Sequence, residues 1–242
     1  EYYHGLKSYV DSVVYPDFPY SHVYAIKEVV EKIPSDSVLH LSINDSIRIT
    51  NFFKLNPRIK TYANIGTHGI DGCLSSFLGQ AAAGDKQSYL VIGDLAFFYD
   101  MNAMRLRHIK NNVHILLINN EGGSEFYFNH MWKDEASDLH TTARHHTKAE
   151  GWVKSNNFIY LSAHDKESMQ EALKEFMRCD LEKPVFLEVF TEMKTDSDVI
   201  YDFFDLSRPK DVQSETIRRS KEFIKATIGQ EKAQKIAGLF KK

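Results

Sequence analysis

The sequence predicts an α/β domain built on a mainly parallel open sheet with helices on both faces. Two continuous apolar runs, residues 89–92 and 113–118, are typical of buried parallel strands. Helical spacing of apolar residues over 100–110 separates the two runs, which gives the strand, helix, strand order of a βαβ unit. A helix over 166–178 and a strand over 184–190 continue this alternation.

The first third of the chain is predicted to contribute further elements. Residues 1–20 are rich in Tyr and Pro and are interpreted as a lead-in segment. Residues 21–33 have the apolar spacing of a helix, and residues 38–41 form a short strand that leads through a polar turn into a helix beginning near Ile47. Residues 68–83 are dense in Gly, Ala and Ser, which predicts a helix packed closely under another element.

The composition is that of an ordinary globular chain. Of its 242 residues, 43% are apolar and 26% are charged, which excludes a disordered or low-complexity protein. The formal net charge of −3 gives no general attraction to nucleic acid or to an anionic membrane. No apolar run approaches the roughly 18 residues of a membrane span, no signal peptide is visible, and the two cysteines form no disulfide framework. We therefore expect a cytoplasmic protein.

The last segment, residues 208–242, is strongly basic, with ten basic and four acidic residues. Ile217, Ile224 and Ile228 recur in it at helical spacing, which predicts amphipathic helices with a solvated basic face. A nucleic-acid-binding arm is the less supported alternative, because the charges lack the regular aromatic interleaving of such arms. We expect this extension to pack against its own domain or against other domains.

Polar segments follow the predicted strands, at the sheet edge where ligands bind in open parallel sheets. These segments are residues 42–46, 93–96 and 119–123. Asp94 offers a carboxylate, Asn120 an amide oxygen and Gly122 a backbone carbonyl. Hard oxygen donors of this kind suit Mg²⁺, whose coordination is often completed by phosphates and water. The alternative for Asp94 alone is that it caps the helix that follows the strand.

At these positions the sequence resembles a known family. Residues 93–95 (GDL) followed by 119–122 (NNEG) resemble the thiamine-diphosphate motif of the pyruvate-oxidase and 2-oxoacid-decarboxylase superfamily. Within it, residues 68–72 (HGIDG) and 93–104 (GDLAFFYDMNAM) are most similar to the SGIDG and GDLSALYDLNAL segments of the menaquinone-pathway 2-succinyl-5-enolpyruvyl-6-hydroxy-3-cyclohexene-carboxylate synthases. The resemblance covers roughly residues 21–192.

This resemblance implies the thiamine-diphosphate-binding fold and three parts of the chain. Residues 21–192 correspond to the diphosphate-binding (PP) domain, preceded by the lead-in segment 1–20 and followed by a helical extension over 193–242. The implied cofactors are thiamine diphosphate and Mg²⁺. A glutamate that activates the cofactor's aminopyrimidine lies, in the family, on a separate pyrimidine-binding (Pyr) domain, and no segment of this sequence resembles that domain.

Carried over residue by residue, the resemblance assigns roles around the cofactor. Asp94, Asn120 and the carbonyl of Gly122 are implied as Mg²⁺ ligands. Ile70 is implied as the apolar wedge that holds the cofactor bent, with core packing as its alternative. Implied diphosphate-side contacts also come from Asn44, Gly93, Leu95 and Ala96. For Asn44 the alternative is a hydrogen bond to its own turn.

On the substrate side the resemblance is looser. Arg48 falls, with a one-residue gap, near a substrate-binding arginine of the family, and a surface helix residue is its alternative. Glu125 directly follows the cofactor loop and is a catalytic candidate. The alternative is that Glu125 is an exposed loop carboxylate without a catalytic role. Glu125 and Phe126 stand where the synthases have an apolar pair, and Ile65 stands where they have an arginine. These departures indicate that the substrate is not the 2-oxoacid that the synthases use.

Four histidines, His130, His140, His145 and His146, crowd the polar stretch after the cofactor motif. Their spacing fits none of the usual zinc patterns, so we interpret this stretch as a solvated loop near the cofactor. In such a loop one of the histidines is able to contact substrate.

The implied function is that of a lyase or transferase. Such an enzyme decarboxylates a 2-oxoacid and transfers or ligates the resulting carbanion with the help of the cofactor. A Pyr domain, in the full-length chain or in a separate subunit, would complete the site, in a homodimer or higher oligomer. The alternative is a non-catalytic or regulatory thiamine-diphosphate-binding subunit.

Overall fold

The protein is built around one six-stranded sheet in which every strand pairs in parallel with its neighbours. The computed structural model describes residues 2–66, 68–127 and 139–207. The strands are β1 (Val38–Leu41), β2 (Lys60–Ala63), β3 (Ser88–Gly93), β4 (Val113–Asn119), β5 (Ile159–Ala163) and β6 (Val185–Phe190). Their order across the sheet is β2-β1-β3-β4-β6-β5. The predicted α/β class with a parallel sheet is confirmed.

The central strands are buried because helices pack around them and because they are almost wholly apolar. All seven residues of β4 are buried, and Val91 of β3 lies in register between Leu41 of β1 and Leu116 of β4. In contrast, all four residues of the edge strand β2 are exposed. The chain leaves β1 towards β2 on one side and returns to β3 on the other, so a topological switch point lies between β1 and β3. Ligand sites of open α/β sheets form at such points.

The helices are α1 (Tyr2–Asp11), α2 (His22–Val30), α3 (Asp45–Thr50), α4 (Cys73–Ala82), α5 (Asp94–Asp100), α6 (Ser124–Tyr127), α7 (Glu150–Ser155), α8 (Lys166–Phe176) and α9 (Met193–Ser207). A 3₁₀ helix, Met101–Arg105, continues α5. The chain divides into two compact units, residues 1–202 and 203–242, and the sheet belongs to the first. Within the described residues no helix has the length and apolar character to cross a membrane.

Two helix predictions are wrong in their bounds. The helix predicted over 100–110 is a 3₁₀ helix that ends at Arg105, preceded by the α-helix that begins at Asp94. A spacing of three, as between Met101 and Met104, fits three residues per turn as well as 3.6. The helix predicted over 68–83 begins only at Cys73, because Gly72 adopts a left-handed conformation with φ of +76°.

The proposed three-part division of the chain stays a prediction. Residues 1–20 contain the helix α1, and α9 begins at Met193, the first residue of the predicted extension. The predicted helices of residues 208–242 lie outside the described part of the chain.

One buried histidine of the sheet makes stability depend on pH. The side chain of His114 on β4 is fully buried, stacks on Tyr89 with ring centroids 4.4 Å apart, and hydrogen-bonds through Nδ1 with the carbonyl of Phe176 at 2.8 Å. Burial lowers the pKa of His114 to about 4 from 6.5. The unfolded chain therefore binds more protons between these pH values, and we expect the free energy of unfolding to fall by up to about 3 kcal/mol as the pH falls through this range.

Chemical denaturation of the wild type and of His114→Gln, each at pH 7 and pH 5, measures this contribution. The variant should lose less stability between the two pH values, because its remaining titratable groups are shared with the wild type. Equal losses in the two proteins would contradict the assignment.

Candidate functional site

A pocket opens at the carboxyl ends of β1, β3 and β4, beside the switch point of the sheet. It brings together segments that are far apart in the sequence: the turn after β1, the start of α5 after β3, and the loop after β4. All the predicted site residues except Arg48 line it, namely Asn44, Ile70, Gly93, Asp94, Leu95, Ala96, Asn120, Gly122, Glu125 and Phe126. The structure thus brings these residues to one pocket, and their roles there stay predictions.

Asp94 is the point around which the loop after β4 is arranged. Its carboxylate is 2% exposed, and its Oδ2 accepts backbone hydrogen bonds from Asn120 at 3.1 Å and from Gly122 at 2.9 Å. Its Oδ1 accepts from the backbone of Leu95 at 2.6 Å. Gly93, not Asp94, occupies the N-cap position of α5. Asp94 therefore does not stand at the N-cap itself, although its Oδ1 accepts from the first turn of α5 while its Oδ2 binds the loop after β4.

The loop after β4 requires glycine at position 122. Gly122 has φ of +151°, and a Cβ there would lie 2.6 Å from the carbonyl oxygen of Thr142. The same carbonyl accepts a hydrogen bond from the backbone of Gly123 at 2.7 Å. Glu121 also has a positive φ of +65°. This tight path turns the backbone of the loop toward Asp94 and the pocket.

The side chain of Asn120 is held by a hydrogen bond to Asp196 of α9. Asn120 Nδ2 donates to Asp196 Oδ2 at 2.9 Å, which leaves the amide oxygen as the group able to face the pocket. Asp196 is fully buried and also accepts from Thr191 Oγ1 at 2.6 Å and from the backbone of His22 at 2.7 Å. Burial acts to raise the pKa of Asp196, but His22, Thr191 and Asn120 outweigh it and hold the pKa below its usual value.

His22, the first residue of α2, lies in the pocket and was missed by the sequence analysis. It is 1% exposed, with Nδ1 3.3 Å from Asp196 and Nε2 3.8 Å from Asp45. Burial acts to lower the pKa of His22, but the Asp196 and Asp45 carboxylates outweigh it and raise the pKa. Within the described part of the chain Nε2 has no hydrogen-bond partner. The sequence around His22 does not indicate a place in the pocket, because the carboxylates that contact its ring lie on α3 and α9, at distant positions in the chain.

Arg48 and Glu125 form an ion pair beside the pocket. Arg48 donates to Glu125 at 2.5 Å and lies 3.8 Å from Asp45, which in turn accepts from Ser124 at 2.9 Å. Burial raises the pKa of the Glu125 carboxyl, the Arg48 guanidinium opposes the rise, and Asp45 adds to it. Arg48 is not among the residues that line the pocket, and its guanidinium pairs with a carboxylate of this chain.

The other predicted residues occupy distinct places at the pocket. Asn44 has φ of +59° in the turn before α3, where its carbonyl accepts from the backbones of Ile47 and Arg48. Such a conformation is uncommon outside glycine and concentrates at functional sites. Ile70 is partly buried and packs against the apolar core while lining the pocket. Phe126 is 43% exposed at the pocket wall.

Among the three of these histidines that the structure describes, His145 is the one that contacts Asp94. Its Nε2 lies 3.4 Å from Asp94 Oδ2, and its ring packs edge-on against Phe98. Its interaction with Asp94 raises the pKa of His145. His146 contacts Glu121 at 3.0 Å, and His130 lies outside the described residues. The sequence could not choose among these histidines, because the choice depends on how the loop returns to Asp94.

The oxygens at this site fit Mg²⁺ better than a softer metal. Asp94 supplies carboxylate oxygens, Asn120 an amide oxygen, and Gly122 a carbonyl that already accepts from Ser124 at 3.1 Å but retains a second lone pair. No group of three His, Cys, Asp or Glu side chains is arranged to hold a metal within residues 2–66, 68–127 and 139–207. A cation here would therefore depend on amide and carbonyl oxygens, with phosphate and water completing its shell.

The fold and the site together define a parallel α/β protein with a pocket at a switch point of the sheet, which is where open sheets of this class bind their ligands. No family model matches the chain. It is 35% identical over 200 residues to the 2-succinyl-5-enolpyruvyl-6-hydroxy-3-cyclohexene-1-carboxylate synthase of Phocaeicola vulgatus, covering 82% of this chain and 36% of that enzyme. To the synthase of the same name from Bacteroides thetaiotaomicron it is 35% identical over 212 residues, 87% of this chain and 38% of that enzyme.

A third synthase of this name, from Flavobacterium johnsoniae, is 32% identical over 200 residues, 82% of this chain and 35% of the enzyme. These matches confirm the resemblance found in the motifs, to the thiamine-diphosphate-dependent superfamily and, within it, to synthases of this name. The chain spans just over one third of the length of the curated relatives it matches, 36% and 38% in the first two.

Proposed function

We propose that this chain binds the Mg²⁺-diphosphate end of thiamine diphosphate, as the PP domain of an enzyme that decarboxylates a 2-oxoacid and transfers or ligates the resulting carbanion. The observation that carries the proposal is the convergence of Asp94, Asn120 and Gly122 on one pocket edge through hydrogen bonds to the Asp94 carboxylate. The matched relatives are named as synthases, which favours an enzyme over a regulatory subunit.

The chain's own residues have defined tasks in this proposal. Asp94, Asn120 and the Gly122 carbonyl hold the cation, while the turn at Asn44 and the start of α5, with Gly93, Leu95 and Ala96, face the diphosphate. Backbone N–H groups and the positive end of a helix dipole favour an anion at such a place. Ile70 supplies an apolar surface against which the cofactor can bend. The cofactor itself, when bound, supplies the electron sink for loss of CO₂.

For the substrate, the structure favours a 2-oxoacid unlike that of the named synthases. Arg48 is already neutralised by Glu125, so it offers no free positive charge to a second substrate carboxylate. Ile65, which replaces an arginine of the family pattern, is 51% exposed. We propose Glu125 and Phe126 as residues that face the substrate, because both line the pocket beside the cofactor loop.

The proposed partners come from the resemblance to the thiamine-diphosphate-dependent superfamily. No segment of the sequence resembles a pyrimidine-binding domain, so we propose that a Pyr domain, in the full-length chain or in another subunit, completes the active site. The resemblance implies at least a dimer for the complete enzyme, in which the PP domain of one subunit meets the Pyr domain of another. The cytoplasmic location, and the absence of nucleic acid and membranes among the partners, remain predictions from the sequence.

Calorimetric titration of thiamine diphosphate into this chain tests the proposed function. With Mg²⁺ present we expect saturable binding, and with EDTA we expect its loss, because the diphosphate needs the cation to approach Asp94. Thiamine without the diphosphate is the control ligand and should bind far more weakly. Equal binding of both ligands, or binding indifferent to Mg²⁺, would refute the proposal.

A further inference from the structure

Asp196 is a buried carboxylate that the proposed cofactor contacts do not use. It lies on α9, outside the segments where the motifs occur, and none of its surface is exposed. Its carboxylate accepts hydrogen bonds from groups near the pocket: the side chain of Asn120, the hydroxyl of Thr191 and the backbone of His22. A buried charge needs such compensation, because removing it from water is costly.

These contacts decide which end of the Asn120 amide faces the pocket. A side-chain amide has a donor end and an acceptor end, and only the oxygen can bind a cation. Asp196 accepts at both carboxylate oxygens, so the only end of Asn120 that it can bind is the Nδ2 donor. Thr191 Oγ1 shares the same Asp196 oxygen at 2.6 Å, and the backbone of His22 fixes the other at 2.7 Å. The carboxylate therefore cannot turn away from Asn120 without losing a bond.

We propose that Asp196 is a positioning residue, which locks the Asn120 amide with Oδ1 toward the cation site. This inference rests on the proposed function, because it assigns Asn120 as a ligand of the cation. Partners that orient metal ligands typically change metal affinity by 10- to 100-fold when removed. A positioning role depends on which side chain of the pair donates and which accepts. A merely structural role would depend only on the volume that the two side chains fill.

An exchange of the two side chains tests the polarity directly. In Asp196→Asn the new amide nitrogen replaces Oδ2, so Asn120 can satisfy it only by turning its own oxygen away from the pocket. We expect Mg²⁺-dependent binding of thiamine diphosphate to weaken by about 10- to 100-fold. In Asn120→Asp two carboxylates face each other at the 2.9 Å separation, and we expect a lower thermal unfolding midpoint.

The double variant Asn120→Asp, Asp196→Asn restores a donor opposite an acceptor. The amide introduced on α9 is then able to donate to the carboxylate introduced after β4 and to Thr191, while still accepting from the backbone of His22. One oxygen of the introduced carboxylate again faces the pocket. We expect the double variant to regain most of the Mg²⁺-dependent affinity and of the unfolding midpoint.

The matched control is Asp198→Asn, because Asp198 lies on the same helix but is exposed and pairs with Lys194. This variant removes the same charge from α9 without touching the contacts of Asn120. It should behave as the wild type in both the binding and the unfolding measurements.

The outcomes separate this inference from the proposed function. If the wild type binds thiamine diphosphate with Mg²⁺ and Asp196→Asn binds it equally well, the positioning role is overturned and the proposed function stands. If the wild type shows no Mg²⁺-dependent binding, the proposed function fails, and the assignment of Asn120 as a cation ligand fails with it. A double variant no more stable than its single variants would contradict the proposed donor role of Asn120 and acceptor role of Asp196, whether or not the cofactor binds.

Discussion

Gly122→Ala is expected to lower the free energy of unfolding by about 3 kcal/mol, because two costs coincide at this position. The φ of +151° is a conformation that residues with a Cβ rarely adopt, and the added Cβ would lie 2.6 Å from the backbone oxygen of Thr142. That oxygen cannot move freely, because it accepts the hydrogen bond from Gly123. Chemical denaturation, monitored by circular dichroism, measures the loss.

The same variant should also lose the Mg²⁺-dependent binding of thiamine diphosphate. A shift of the loop would pull the backbone N–H of Gly122 away from Asp94 and displace the Gly122 carbonyl from the cation. Gly79→Ala provides the control: Gly79 lies within α4, is exposed, and a Cβ there meets no atom within 4 Å among the described residues. That change should stabilise the chain by up to about 1 kcal/mol. A Gly122→Ala protein as stable as the wild type would contradict the loop geometry.

The sequence revealed the part of the site that lies within single segments. Strands β3 and β4 are buried on both faces, so their apolar runs show directly where they end. The residues after those ends, Asp94 and Asn120, must then meet at one edge of a parallel sheet. The edge strand β2 was not predicted, because its exposed residues carry no apolar pattern. The same limit applies to β5, in which only Ala163 is buried.

The residues that the sequence could not assign to the site are those brought there by distant elements. Asp196 and His22 are 174 positions apart, yet the carboxylate of one accepts from the backbone of the other. Each carries an ordinary local pattern for its helix, so only the tertiary fold distinguishes them from surface residues. Likewise, the pairing of Arg48 with Glu125 changes what either can do, although each alone was a substrate-side or catalytic candidate.

Asp94→Asn should weaken the Mg²⁺-dependent binding of thiamine diphosphate by about 100-fold or more, which corresponds to about 2.7 kcal/mol. The substitution keeps the size of the side chain but leaves one acceptor oxygen in place of two. The backbone N–H groups of Asn120 and Gly122 already share Oδ2, and that of Leu95 uses Oδ1, so one side loses its acceptor. The new amide nitrogen cannot bind a cation. The loss of a negative charge acts in the same direction, because the cation then has less charge to offset its desolvation.

Calorimetry on Asp94→Asn and on Asp85→Asn under identical conditions measures this effect. Asp85 is exposed and pairs with Lys110, so its substitution removes the same charge without touching the pocket. Binding by Asp85→Asn should match the wild type, which separates the local role of Asp94 from the net charge of the chain. Circular dichroism of both variants establishes that each is folded. If a folded Asp94→Asn binds the Mg²⁺-cofactor complex as tightly as the wild type, Asp94 does not hold the cation, because no ligand carboxylate can be neutralised without loss of affinity.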